Sequence, residues 1–408
     1  MLSTSTTSPT PPPPAAPRPG NPMAAILSLA VASFASQALV RSADTLLPQI
    51  ATDFAVTVGV ASIVITAYAL THGTTQFITG PIADRFGKYR TVAVACGLSA
   101  LTVAACGLAR SLDGLTLARF FSGLTVAWIL PISLAYIGDV VPYDQRQQVL
   151  GRFLAGQVLG QLFGQAAGGV IGDYFGWRVT FFALAAMLAA AAAALTWQLF
   201  SNPITRPASG MQERRGMIES YRIVLGTPWA RIMLLSVGLE GTFFQGVFSY
   251  IGADLHLRFG VSFAGVGVII GIFALGGLIY AATVKPMMRR LGQTGIAKTG
   301  GIVLGLAFLT LAVQPVWYFA PLATLGLGLG FYMLHNTLQT EATQMVPQAR
   351  GTGVTLFASM YFLGQTLGVA LGAPVMDRFG APPIFVVAAL ALPALAFFFT
   401  AQLKRRAI

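Results

Sequence analysis

The chain has 408 residues, of which 55% are hydrophobic and 9% charged, against about 25% charged in soluble domains. With a mean hydropathy of +0.72, a soluble α/β protein is excluded. The net charge of +12 would suit nucleic acid, but the charges sit in short clusters between apolar runs of about 20 residues, the length that crosses a hydrocarbon core. The composition therefore predicts an all-α integral membrane protein whose partner is the lipid bilayer, with no nucleic acid.

In chain order, residues 1–22 are Ser/Thr- and then Pro-rich and cannot form a packed core, which predicts a disordered cytoplasmic tail. The apolar run after it is long enough to span and no cleavage pattern follows, so a signal peptide is not expected. Apolar runs fall at about 24–47, 58–80, 91–110, 113–137, 147–171 and 178–200, then at about 230–252, 262–285, 297–314, 316–338, 350–373 and 382–402. These predict twelve transmembrane helices: a six-helix bundle over 23–200, a cytoplasmic linker over 201–229 with a short surface helix near 212–224, and a second six-helix bundle over 230–408. Cys96 and Cys106 share one run at a spacing of about 15 Å, too far for a disulfide, and are read as packing residues.

Orientation follows from the Lys/Arg asymmetry. With the N-terminus inside, cytoplasmic segments hold 19 of the 25 Lys/Arg, external segments hold Arg110, Arg178, Arg258 and Arg378, and Arg41 and Arg119 lie within the membrane. Both termini are thus expected in the cytoplasm.

The halves repeat. A shift of 204 residues carries Arg146 to Arg350, Gly164 to Gly368, Gly168 to Gly372, Asp173 to Asp377 and Phe175-Gly176 to Phe379-Gly380. One residue further along, Pro81, Arg85 and Gly87 map to Pro286, Arg290 and Gly292. Two copies in the same orientation are the parallel-repeat plan of one large transporter fold.

Charges inside the runs are the candidate site. A charged side chain at the bilayer centre costs roughly 2.5–3.5 kcal/mol on insertion scales, so it persists where it is paired, hydrated or useful. In the first run, 41-RSADTLLPQI-50 carries Arg41 and Asp44. Arg119 in the fourth run lies at a depth similar to Asp44, so an Asp44–Arg119 pair is geometrically open, with Arg41 as competitor or third member. A purely structural ion pair is the alternative.

Glu240, midway along the seventh run, is a lone intramembrane carboxylate and a candidate proton carrier. Tyr332, His335 and Asn336 in the tenth run are candidates for lining a cavity, as is His72 in the second, although a lone histidine in a helix is more often a packing residue. In the fifth run Gly156, Gly160, Gly164 and Gly168 recur every four residues, a smooth stripe for close helix packing. Beside them Gln157, Gln161 and Gln165 form a polar stripe, suited to interhelical hydrogen bonds or to cavity lining.

Between the second and third runs stands 80-GPIADRFGKYR-90. Gly80 and Pro81 are expected to break the helix there, while Arg85, Lys88 and Arg90 hold the loop at the surface. The order G-x-x-x-D-R-x-G-K-x-R resembles the signature loop of the major facilitator superfamily. That resemblance implies a conformational gate formed by Gly80, Asp84, Arg85, Gly87, Lys88 and Arg90, which latches the two halves and touches no substrate. Asp139, at the end of the fourth run, is expected to make gate contacts.

The segment 115-LTLARFFSG-123 resembles the family's L-x-x-x-R motif at Arg119. The D-x-x-x-P spacing from Asp44 to Pro48 resembles its drug-efflux branch of bicyclomycin-resistance and arabinose-efflux-type permeases, which implies a proton-linked acid at Asp44. The glycine stripe resembles the antiporter motif of the family's exporters, with Gln165 where those commonly carry proline.

The resemblance implies a monomeric secondary transporter of a bacterial inner membrane, exchanging small organic compounds for protons through Asp44 and Glu240. Arg41, Arg119, the three glutamines, Tyr332, His335 and Asn336 would line its cavity. Import of an organic anion held by Arg41 and Arg119 remains open, and a receptor or channel is a more distant alternative. Phosphate-loop, zinc-pair and nucleophile-turn motifs are absent from the sequence, so neither enzymatic activity nor a cofactor or metal is expected.

Overall fold

A computed structural model describes residues 20–206 and 217–406, the side chains at 80, 81, 84, 143, 144, 147 and 217 excepted. The expected disordered tail therefore lies almost wholly outside the described residues, as does the middle of the linker. What is described is all helix and connecting turns. Ten described helices are long and apolar enough to cross a membrane. One of them, Phe263–Val313, has 51 residues and folds back at Gly292, where φ is 65°. Its arms, 263–291 and 293–313, are two spans. The helix Tyr143–Phe175 has 33 residues and is less apolar because it carries the glutamine stripe. The twelve are α1 (Pro22–Asp53), α2 (Ile63–Phe86), α3 (Lys88–Leu108), α4 (Leu112–Val140), α5 (Tyr143–Phe175), α6 (Trp177–Ser201), α7 (Pro228–Phe259), α8 and α9 (the two arms), α10 (Ala320–Ala342), α11 (Arg350–Phe379) and α12 (Pro382–Arg406). A one-turn helix, Val58–Ala61, precedes α2, and the surface helix of the linker runs over Met217–Gly226.

Local chemistry sets these boundaries. Asn21 caps α1 by accepting from the Ala24 amide at 3.1 Å, with Pro22 in the first turn, where its missing N–H costs nothing. Ser111 and Ser262 cap α4 and α8 in the same way. The turn from α2 to α3 is made at Gly87 with φ 91°, and its repeat partner Gly292 makes the turn from α8 to α9. Gly176 (φ 85°) and Gly380 (φ 75°) form a second such pair. Only glycine takes this left-handed region freely, so the repeat seen in the sequence is a repeat of turns. The expected break at Gly80–Pro81 is corrected: the α2 backbone stays helical through both and ends at Phe86. A proline removes one helical hydrogen bond, whereas a change of chain direction needs the conformation that Gly87 supplies.

Large apolar side chains cover the outside, among them Leu101 (68% exposed) and Phe200 (82%), as lipid-facing helices require. Within the first six helices α5 packs on α1, α3 on α6 and α2 on α4; within the last six α10 packs on the α8–α9 pair, α11 on α7 and α12 on that pair. The two sets meet along α2–α11, α5–α8 and α1–α7. Every described glycine packed against the other set (Gly59, Gly73, Gly169, Gly252, Gly267 and Gly271) lies toward the end where α1 finishes and α2 begins. That end is sealed. Towards the other end, Gly151 and Gly156 face open space.

The two lateral joints are repeat-related. A Cβ on Gly169 of α5 would lie 2.5 Å from the Phe263 carbonyl oxygen, and a Cβ on Gly59 would collide with the Ala373 carbonyl oxygen. These are the same contact, since Gly59 and Phe263 are 204 residues apart, as are Gly169 and Ala373. The joints differ in one respect. At α2–α11 the Asp377 carboxylate accepts from Thr57 Oγ1 and from the Gly59 amide, both at 2.7 Å. Its counterpart Asp173 is solvent-exposed.

Candidate functional site

Most of the charge buried in the membrane lies at the centre of the seam. Asp44 (1% exposed) accepts from Arg41 Nη1 at 3.0 Å, and Arg41 is 4% exposed. The two are one turn apart on α1, so the helix itself sets the pairing. The other nitrogen, Arg41 Nη2, donates to Gln245 Oε1 on α7 at 2.5 Å, and the guanidinium lies over the Phe248 ring at 4.5 Å. Gln245 Oε1 also accepts from the Tyr361 hydroxyl of α11 at 2.5 Å.

The Asp44–Arg119 pairing that matched depths left open is not what forms. Arg119 is fully buried in the α2–α4 packing, donating from Nε to the Val64 carbonyl at 3.3 Å and lying 4.1 Å from the Tyr68 ring. Its Nη1 has no hydrogen-bond partner, nor do Tyr68 Oη and His72 Nδ1.

Glu240 is wholly buried, and its Oε2 lies 2.7 Å from His335 Nδ1 on α10. Its Oε1 is unpartnered. The His335 ring stacks on Phe331 with centroids at 4.8 Å and sits 5.0 Å from the Tyr361 ring. Between Glu240 and Gln245, α7 winds as a π-helix over Gly241–Gly246. Such turns, when they interrupt α-helices, are frequent at functional sites, and an i→i+5 turn brings residues five apart onto one face. The structure thus places Asp44, Arg41, Gln245, Tyr361, His335 and Glu240 in one continuous chain across the seam.

The other candidates lie around it. Tyr332 packs beside Phe273 and Phe331, and Asn336 lies beside Tyr280. Gln161 donates to Gln37 of α1 at 2.9 Å. Gln157 is buried with an unpartnered Nε2, while Gln165 lies in the α5–α8 joint, its carbonyl facing Gly267. Of the glycines, Gly160 and Gly164 press on the α1 backbone at Phe34 and Ala38, and Gly168 faces Thr45, but Gly156 touches nothing.

In the gate segment Lys88 pairs with Asp139. Arg85 lies exposed over the Phe86 ring, Gly87 makes the turn and Arg90 is exposed. The side chains of Gly80 and Asp84 fall outside the described residues. Among the described residues no group of three His, Cys, Asp or Glu side chains could hold a metal.

Gln245 and Tyr361 are absent from the candidates read in the sequence. The repeat could have found the first: Gln245 is Arg41 shifted by 204 residues.

Helices re-entering the bilayer twelve times, sealed at one end around buried charges, define a multi-pass membrane transporter. The chain belongs to the Major Facilitator Superfamily, which it matches over residues 29–369. It is 26% identical over 336 residues to an uncharacterised MFS-type transporter of Bacillus subtilis, YceJ (80% of this chain, 82% of that one). It is 25% identical to a protein of Pasteurella multocida named "probable sugar efflux transporter" (90% and 89% covered), and 24% identical to multidrug resistance protein 2 of Bacillus subtilis (74% and 77%). Among solved structures, a mutant of the nucleoside transporter NupG superposes with a TM-score of 0.77 at 15% identity (92% and 99% covered). A bacterial homologue of the lysosomal transporter Spinster gives 0.75 at 17% (92% and 96%). At these identities the structures share the fold alone; the family and its relatives are transporters rather than enzymes.

Proposed function

We propose that the chain is a proton-coupled exporter of small organic compounds, working by alternating access in a bacterial inner membrane as a monomer. Its bundles are 23–200 and 230–408, joined by the linker 201–229, with both termini cytoplasmic. In that orientation the sealed end faces outward. The observation that carries the proposal is the pair of buried acids, Asp44 and Glu240, one in each bundle and each held by a single basic side chain. A buried carboxylate pays desolvation when charged and regains it from a cation beside it, so its protonation tracks what that cation touches. Loading Asp44 with a proton from outside weakens substrate binding and favours the state sealed on that side. The loop from Gly80 to Arg90 gates the opposite end. Relatives named for sugar efflux and multidrug resistance support export.

Uptake of an organic anion is the second reading, favoured by the unpartnered Nη1 of Arg119 and by Gln165 in place of proline. The test is accumulation of a panel of drugs, sugars and organic acids in energised cells. Export predicts less accumulation than in empty-vector cells, a difference that a protonophore erases; higher accumulation establishes uptake.

A further inference from the structure

We infer that Gln245 is the positioning residue through which the two candidate proton sites are linked across the repeat axis, and that the link exists only while the sealed end is closed. The inference rests on the proton-coupled reading above. Arg41 and Gln245 are separated by 204 residues, the repeat offset, and they hydrogen-bond each other. Positions equivalent under a two-fold relation meet only at the axis, so this bond sits on the axis along the membrane normal that relates the halves, between the two surfaces that must part. An amide oxygen has two lone pairs, and Gln245 Oε1 spends both, one on Arg41 and one on Tyr361. The first leads to Asp44 and the second, through the His335 ring, to Glu240. The π-turn puts Gln245 on the face of α7 that carries Glu240.

The groups facing this centre are Arg41 and Asp44 from α1, Arg119 from α4, Glu240 from α7, Tyr332 and His335 from α10 and Tyr361 from α11. Asp254 of α7, further along, is held by Arg258 at 3.0 Å. With Asp44 ionised, Arg41 divides its donors between the carboxylate and Gln245. When Asp44 takes a proton, the guanidinium loses its ionic partner and Gln245 becomes its principal acceptor. The cross-seam bond then strengthens and the sealed end stays shut.

The experiment is double electron–electron resonance on purified full-length protein labelled at Arg110→Cys and Val316→Cys. These are exposed positions on opposite bundles at the sealed end, and the native cysteines are buried. In the parent protein the closed population should rise with acidity. Gln245→Leu should lower the closed-to-open ratio by about tenfold or more, the equivalent of one hydrogen bond to a charged group, and flatten its pH dependence. Gln245→Glu keeps an acceptor for Arg41 and should stay closed at every pH. Tyr361→Phe removes only the second bond and should also shallow the pH dependence, which covers a Gln245→Leu protein that does not fold. A pH-dependent parent whose slope survives both Gln245→Leu and Tyr361→Phe overturns the inference and leaves proton coupling standing. A parent indifferent to pH overturns the proton-coupled reading and this inference with it.

Discussion

Adding one methyl group to the fifth helix at either of two neighbouring glycines should give opposite results. A Cβ on Gly160 would stand 2.5 Å from the Phe34 carbonyl oxygen and 3.1 Å from the Phe34 Cα, both backbone atoms, where ordinary contact begins at 3.4 Å. No rotamer change relieves a clash with backbone, so α5 must retreat from α1 by close to 1 Å, and overpacking of this kind costs about 1–3 kcal/mol. Alanine returns about 1 kcal/mol over glycine within a helix. Gly160→Ala should therefore lose about 2 kcal/mol, taking the upper end of that range. Gly156 has nothing within 4 Å, so Gly156→Ala keeps only the helix term and should be stabilised by up to about 1 kcal/mol. Unfolding titrations of both variants in mixed micelles measure the difference. If Gly160→Ala is as stable as the parent, or both variants fall together, the α1–α5 seam is not packed as described.

Asp44→Asn should abolish proton-driven transport while binding persists, and should flatten the pH dependence of substrate affinity; Glu240→Gln should weaken coupling less. Affinity measured from mildly acidic to mildly alkaline pH decides, and the same loss appearing in Glu240→Gln alone would move the coupling site to α7. Asp84→Asn should cut turnover strongly with expression and binding nearly intact, read from initial rates at matched protein levels. Asp377→Ala removes the acceptor of two hydrogen bonds across the α2–α11 joint and should broaden the Arg110–Val316 spin-label distances. Asp173→Ala, at the equivalent exposed position, should leave them unchanged.

Spans and turns were legible because each is written locally: run length fixes a span, and a glycine in register with its repeat partner fixes a turn. Gly80–Pro81 misled because helix-disfavouring residues need not end a helix that lipid and neighbours support. Depth along a helix was legible, but the direction in which a side chain points was not. Arg119 and Asp44 match in depth, yet Arg41 lies one turn from the carboxylate on the same helix and takes it. Gln245 was hidden for another reason. A neutral amide in an apolar run raises no electrostatic alarm, and only the repeat offset sets it opposite an arginine. Where Gly156 and Gly160 differ, the sequence is silent, because the stripe continues past the point at which the neighbouring helix diverges.

The uneven pair of lateral joints has a consequence for how the molecule moves. Duplication would have delivered two equivalent sliding surfaces, glycine against carbonyl, at α5–α8 and α2–α11. One remains a plain bearing, while the other has acquired a polar clasp in Asp377. A clasp resists until it is released and a bearing yields gradually, so the halves should not part evenly. The sealed face should give first along the plain α5–α8 joint while α2–α11 holds as the hinge until its clasp releases, so the first opening is displaced from the centre towards α5–α8. Cargo leaving by that route would meet the α5–α8 side first, so the selectivity of release would depend on the residues that line that joint.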